Sequence, residues 1–396
     1  MTDRIYYTDP YCRSFEATVR DALEHQGRAA VTLDRSAFYP TSGGQPFDTG
    51  RLGSVAVLET VDGPDVIHVV AAPIEPGTKV EGVVDWTRRF DHMQQHTGQH
   101  LLSAAFDRLF ENPTVGFHMS ADVSTIDLAR ASSPDDIERA VDAANAVVWE
   151  DRPVSIRFAS PEEAASLELR KDPVREGPLR LIDIEGFDVC ACGGTHVART
   201  GAVGLIAAVA SERLRGGARL RFVCGARALR LLRMYRDAVA GSVRRLSVLP
   251  AELPAAIERL QAESHTRAER AKELQGKLVA FEGERLVANA AAAGGVCVVV
   301  ESLAGWDAAG LKSVASAVTA ARRSCAVLLS AEAPTSIVVA CSPDTRVDAG
   351  MLLRRLIERF GGRGGGKPDL AQGGGLVGPA VEIAAAARTM LEQLLK

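Results

Sequence analysis

The chain has 396 residues, 46% of them hydrophobic and 24% charged, with a formal net charge of −4. That length suits two or three domains with their own cores, and the composition is that of an ordinary globular protein. The weak acidic balance excludes a globally basic nucleic-acid binder, although a binding face can still be locally basic. Seven cysteines, an odd number and mostly far apart, read as thiols in a reducing compartment rather than a disulfide framework. The opening MTDRIYYTDPYCR lacks an apolar secretory core. No run reaches the ~18–20 apolar residues of a membrane span. A cytoplasmic protein without membrane contact is the expectation.

The predicted fold class is α+β multidomain. Residues 1–88 read as a small β-barrel, because Ala29 to Leu33, Val55 to Val61 and Val66 to Ala71 are short β-branched runs between Gly, Pro and Asp. From Asp91 to Leu109 the apolar positions Met93, Leu101, Leu102, Ala105 and Leu109 predict a helix. A second helix runs from Pro134 to Trp149, with Ser133 as its cap. Strands are expected at Val154 to Phe158, Leu179 to Ile184, Val203 to Ala210 and Leu220 to Val223, which makes residues 89–235 an α+β core. Residues 236–292 read as a helical linker broken near Leu249 to Pro254, with Ile257, Leu260, Ala271, Leu274, Leu278 and Phe281 along an imperfect coiled-coil seam. That seam, or the domain after it, is where a homodimer would form. Residues 293–396 read as α/β, with strands Val296 to Val300, Ala326 to Leu329 and Ile337 to Cys341. Helices are expected at Asp307 to Arg323, Ala349 to Phe360 and Pro379 to Leu395.

Four residues carry the chemistry. His96 and His100 lie four apart on the first predicted helix and so share a face. Cys192 and His196 bracket the small Gly193 and Gly194 in CGGTH, where the chain can turn tightly enough for both to converge. Three imidazoles and a thiolate make a tetrahedral zinc set, one ion per chain. Cys190 is the competing thiolate and His92 a competing imidazole. His92 reads rather as a solvent-facing residue. Asp188 reads either as a carboxylate that orients a ligand or as an exposed acid near the turn. Thr97, Gly98 and Gln99 fill the gap between the two histidines, so the helix is not an HExxH peptidase helix.

The pair HTGQHLLSAAF and CGGTHV resembles the editing domain of alanyl-tRNA synthetases and their freestanding relatives, the AlaX-type alanyl-tRNA editing proteins. AFYPTSGGQPFDTG (Ala37 to Gly50) is similar to the glycine-rich motif of the same family, as is RLRFVCGARAL ending at Leu229. The tail GGRGGGKPDLAQGGG is similar to the DHH-associated domain that ends alanyl-tRNA synthetases. The resemblance spans nearly the whole chain. It implies a zinc-dependent aminoacyl-tRNA deacylase, working without ATP, that hydrolyses tRNA(Ala) mischarged with Ser, and also with Gly. A pocket for alanine cannot strongly reject the smaller Gly or the hydroxyl-bearing Ser, so a second, hydrolytic site is needed. It implies further that His96, His100, Cys192 and His196 hold the zinc. Thr97, Gln99 and Gln45 are then expected at the reacting groups, and Gly43, Gly44, His118 and Asp188 around the substrate.

Arg213, Arg215 and Arg219, on a predicted hairpin, and Arg363 and Lys367, in the glycine-rich tail, are expected to contact the tRNA backbone. The tail contains G-x-x-x-x-G-K, but Pro368 replaces the Ser or Thr that would hold magnesium and the stretch follows a helix, which excludes a phosphate-loop nucleotidase. A two-metal phosphoesterase is excluded because Asp91-His92 is followed by Met93. The remaining alternative is a non-catalytic tRNA-binding protein with a structural zinc, since a four-ligand site is closed.

Overall fold

The computed structural model describes residues 1–160, 163, 169–170, 179–332 and 334–396. They divide into two compact units, Met1–Arg245 and Leu246–Lys396.

The first unit opens with a closed six-stranded barrel in which every ladder is antiparallel. Its strands in spatial order are Ser14–His25, Arg28–Leu33, Ile67–Val70, Val55–Val61, Gly50–Leu52 and Lys79–Val84. Closure leaves no free edge. Alternation sends Phe15, Ala17, Val19, Val31, Leu33, Leu52 and Val57 inward to one core. The loop between Ser36 and Gly50, which carries the glycine-rich motif, leaves the barrel wall.

Helix α1 (Trp86–Phe110) follows the barrel directly, five residues earlier than the apolar spacing predicts. Asp85 caps it by accepting a hydrogen bond from the Arg88 amide. In this first turn Trp86 and Phe90 pack partly buried against the core and Arg89 is fully buried. Helix α2 (Pro134–Trp149) starts as expected, with Ser133 and Asp136 forming a reciprocal capping box behind a proline. Both helices pack on an antiparallel sheet ordered Ile206–Leu214, Gly217–Cys224, Ser124–Leu128 and Thr114–Met119. The third predicted strand thus begins at Ile206, because Thr200–Val203 forms a 3-10 turn. A second sheet of three strands contains Val154–Ala159, Leu179–Ile184 and Asp188–Ala191. Leu101, Leu102, Phe106, Ile126, Ala144, Ile184, Val203 and Phe222 share the core between them. Helix α3 (Ala226–Leu246) closes the unit.

In the second unit, helix α4 (Leu253–Ala288) is preceded by a 3-10 turn at Pro250–Glu252, at the predicted break. A six-stranded sheet follows, ordered Ala291–Ala293, Val296–Leu303, Ser324–Ser330, Thr335–Cys341, Leu370–Leu376 and Arg363–Gly366. Only the pair Val296–Leu303 and Ser324–Ser330 is parallel. Helices α6 (Ala349–Phe360) and α7 (Ala380–Leu394) cover one face. Helix α5 (Ala308–Ala321) and the end of α4 cover the other. The central strands are therefore buried on both sides and read as continuous apolar runs. The glycine-rich tail forms an antiparallel hairpin that completes the sheet edge, with Arg363 opposite Gly374. Glycines hide the period-two signal of a strand, since there are no side chains to alternate.

Candidate metal centre

Helix α1 is the unusual element. Sixteen of its residues are buried, and they include Arg89, His92, Gln94, Gln95, His96, Thr97, Gln99, His100 and Ser103. Each such group must find a partner inside, and most of them find it in another element. Gln95 spans the end of a strand, accepting from the Cys224 amide at 2.8 Å and donating to the Cys224 carbonyl at 3.1 Å. Arg89 is fully buried. It donates to Asp48 and to the carbonyls of Pro10 (2.8 Å) and Ala37, so the glycine-rich loop is pinned to the helix. Gly98 sits mid-helix, where glycine ordinarily costs about 1 kcal/mol against alanine. A Cβ there would lie 2.3 Å from Cys224 Sγ. The close approach of helix and strand requires it.

One turn further on, His96, His100, Cys192 and His196 converge, their ligand atoms all within 4.8 Å of one another. Cys192 Sγ lies 3.5 Å from His96 Nε2 and 3.4 Å from His196 Nε2. Zinc bonds of about 2.3 Å to sulfur and about 2.0 Å to nitrogen at tetrahedral angles separate S and N by about 3.5 Å, so the donor set fits that ion. Cys190 is buried but lies outside the cluster.

Each imidazole is held through its other nitrogen, which leaves Nε2 free for a metal. His96 Nδ1 donates to Gln45 Oε1 at 2.8 Å, and the same oxygen accepts from the Thr195 amide at 3.1 Å. Gln45 Nε2 donates to Thr195 Oγ1 at 2.9 Å. His100 Nδ1 donates to Asp188 at 3.1 Å, and Arg170 grips both oxygens of that carboxylate. His196 Nδ1 donates to Thr97 Oγ1 at 3.1 Å, which also accepts from the Val197 amide. Gly194 must be glycine, since a Cβ would stand 2.1 Å from His96 Cε1. Phe117 stacks on the outer face of His96, with ring centroids 5.3 Å apart.

The electrostatics match this wiring. Burial raises the Cys192 thiol, but the three imidazoles outweigh it and hold the group well below its ordinary range. Burial also lowers His196 far from its usual value, helped by His96. For His100 the Asp188 carboxylate and Cys192 outweigh burial and raise it. Asp188 is held low by His100 and Arg170 against its own burial.

The geometry places the expected site residues as follows. Gln45 and Thr97, expected at the reacting groups, hydrogen-bond His96 and His196. Gln99 is buried and donates to Ser103 at 2.8 Å. Asp188, read as a ligand-orienting or substrate-side carboxylate or an exposed acid, is buried and engaged by His100 and Arg170. His118 is exposed. Its neighbour Phe117 faces the cage, and successive strand residues point to opposite faces. His92 is not solvent-facing: it is 3% exposed, its Nδ1 has no partner, and burial beside Arg88 and Arg227 lowers it to about 3. Gly43 and Gly44 both adopt positive φ, in a turn that seats against Phe117. Arg213 and Arg215 are exposed at the hairpin end, whereas Arg219 is bound bidentately to Asp127. Arg363 and Lys367 are exposed on the glycine-rich hairpin. The wiring around the histidines has a sequence signal only in the polar texture of α1.

The barrel, the caged histidines and the CGGTH turn define a protein of the synthetase editing type. Residues 179–221 match the Threonyl and Alanyl tRNA synthetase second additional domain, and residues 295–396 match the DHHA1 domain. The alanyl-tRNA editing protein AlaX-L of Pyrococcus horikoshii is 31% identical over 388 residues, covering 94% of this chain and 94% of that protein. The alanine–tRNA ligase of Methanoculleus marisnigri is 34% identical over 389 residues, and that of Pyrococcus abyssi 30% over 391. These span 94% of this chain but only 41% and 42% of the ligases. The chain belongs to the alanyl-tRNA editing protein family.

Proposed function

We propose that this protein is a zinc-dependent aminoacyl-tRNA deacylase that clears tRNA(Ala) mischarged with Ser first and Gly second. The reading rests on one observation: four metal-type donors packed within 4.8 Å, three of them oriented by separate buried partners, in a chain of the editing family. Hydrolysis adds water across the ester bond, releasing the amino acid and the free ribose hydroxyl. Zinc held by His96, His100, Cys192 and His196 would supply a fixed positive charge to orient the terminal adenosine and polarise the ester.

The chain's own residues do the rest. Gln45, Asp188 and Thr97 fix the imidazoles before substrate arrives, so no reorganisation is spent on them. Phe117 excludes water from one side of His96. Asp188 has both oxygens engaged and is not available as a base. Arg213, Arg215, Arg219, Arg363 and Lys367 are proposed contacts to the tRNA backbone, with Arg219 also serving Asp127. No helix among the described residues is long and apolar enough to cross a membrane. Work on charged tRNA suits the cytoplasm. The exposed apolar residues of α4 suit a homodimer.

The closed four-ligand set supports the second reading, a tRNA-binding protein whose zinc is structural. Deacylation of Ser-tRNA(Ala), Gly-tRNA(Ala) and Ala-tRNA(Ala) by zinc-loaded protein separates the two. We expect release of Ser and Gly well above the spontaneous rate, with Ala retained. Cys192→Ala should still bind uncharged tRNA(Ala) but fall to the spontaneous rate. Intact Ser-tRNA(Ala) after incubation with wild-type protein would leave only the structural role.

A further inference from the structure

Arg180 is a buried guanidinium with no acidic partner among the described residues. It stands second in the strand Leu179–Ile184 and is 9% exposed. The other deeply buried arginines of the first unit are paired: Arg89 with Asp48, and Arg227 with Asp91. Arg180 has no carboxylate partner among the described residues. Its Nε donates to the Tyr7 carbonyl at 2.8 Å and its Nη1 to the Cys192 carbonyl at 2.6 Å. Its Nη2 is buried with no partner, and the guanidinium lies 5.6 Å from the Tyr7 ring centroid. The Arg180 carbonyl in turn accepts from the Cys192 amide at 3.0 Å. Residue 180 therefore grips residue 192 by both main chain and side chain.

A cation taken out of water at this depth is costly unless negative charge stands nearby. The three histidines of the cage each have a dedicated partner in Gln45, Asp188 and Thr97. Among the described residues, the Cys192 sulfur has only the Gly194 amide, at 3.4 Å, as a hydrogen-bond donor outside the cage. We propose that Arg180 is the positioning residue of the thiolate corner. It locks the Cys192 carbonyl in place and ties that corner to the N-terminal segment through Tyr7. The proposal rests on reading the cage as a zinc site.

The test is metal binding by the full chain, with wild type measured first. Absence of one zinc per wild-type chain would sink the cage reading itself. With that established, Arg180→Met and Arg180→Lys are compared by chelator competition and, after cobalt substitution, by the thiolate-to-cobalt charge-transfer absorption. Loss of an outer partner typically weakens metal binding about 10–100-fold. We expect Arg180→Met to fall in that range with a weakened, shifted absorption band. Arg180→Lys, which keeps the charge but reaches one carbonyl, should lie between. Unchanged affinity and an unchanged band in Arg180→Met overturn the proposal, as does a raised KM for charged tRNA with intact zinc binding. If Arg180→Met does not fold without metal, Arg180→Lys decides. Wild-type zinc affinity there makes Arg180 a residue of the fold alone.

Discussion

Helices α1 and α4 break the usual division of residues in opposite directions. Helix α1 buries Arg89, three histidines, Thr97 and three glutamines. Helix α4 exposes Ile257, Leu260, Leu274, Leu278 and Phe281, each with 45–65% of its surface free. A soluble helix ordinarily turns one apolar stripe inward and its charges outward. Helix α1 departs because its buried face is a wiring board: its polar groups stitch a barrel loop, two strand ends and the CGGTH turn to one place. Helix α4 departs because much of its apolar seam lacks cover within its own unit. Buried polarity thus wires parts of the chain together, whereas the exposed apolar seam of α4 is left uncovered by the chain itself.

If the polar groups of α1 hold the unit together, removing the most buried one should cost most. Arg89→Met leaves Asp48 buried and uncompensated and strips two carbonyls of their donor. Breaking such a pair from one side costs about 3–5 kcal/mol. Denaturant unfolding of the metal-free protein should show a loss of that order. A loss below about 1 kcal/mol would mean that the loop is held by other contacts.

His68 sharpens the contrast between structural and site histidines. It is fully buried in the barrel, 2.7 Å from Ser36 Oγ and 3.3 Å from the Val31 carbonyl. Burial depresses it from 6.5 to about 4. The unfolded chain therefore binds the proton first as pH falls. Stability is complete above about pH 6.5 and is lost progressively down to about pH 4, by about 3 kcal/mol in all. Comparing metal-free wild type with His68→Gln between pH 7 and pH 4 should isolate this slope. Equal slopes in both proteins would remove His68 as its source.

The cage itself was legible in advance because His96, His100, Cys192 and His196 come in two short motifs with fixed local geometry. The Ser133 cap and the continuous apolar strands of the second unit were legible for the same local reasons. Three things were not. The partnership of Gln45 with His96 and Thr195 joins residues 51 and 150 positions apart, and no spacing rule reaches that far. The burial of His92 follows from α1 being enclosed on all sides, which a polar sequence conceals. The tail hairpin lacks side chains to alternate. The errors therefore fall where long-range contacts or glycine override local pattern.

A subtler substitution probes whether the α1 wiring acts on metal rather than on the fold. Thr97→Val keeps the shape but removes the oxygen that accepts from His196 Nδ1 and the Val197 amide. Zinc affinity should fall about 10-fold or more. Unfolding of the metal-free protein should shift by about 1–3 kcal/mol, the cost of stranding a buried donor. Undiminished zinc affinity would show that His196 is oriented by packing alone.

The smallest effect should come from α4. Leu274 and Leu278 lie one turn apart with about half their surfaces exposed, so replacing both with Ser removes little buried area from the chain's own core. Surface substitutions of this kind usually shift stability by less than about 0.5 kcal/mol each. Chemical unfolding at low protein concentration should therefore be nearly unchanged. If the seam pairs two copies, the same variant should lose its dimer in sedimentation while its deacylation per chain persists. A large fall in single-chain stability would instead place these leucines in a core of the chain itself, and the contrast with α1 would fail from the opposite side.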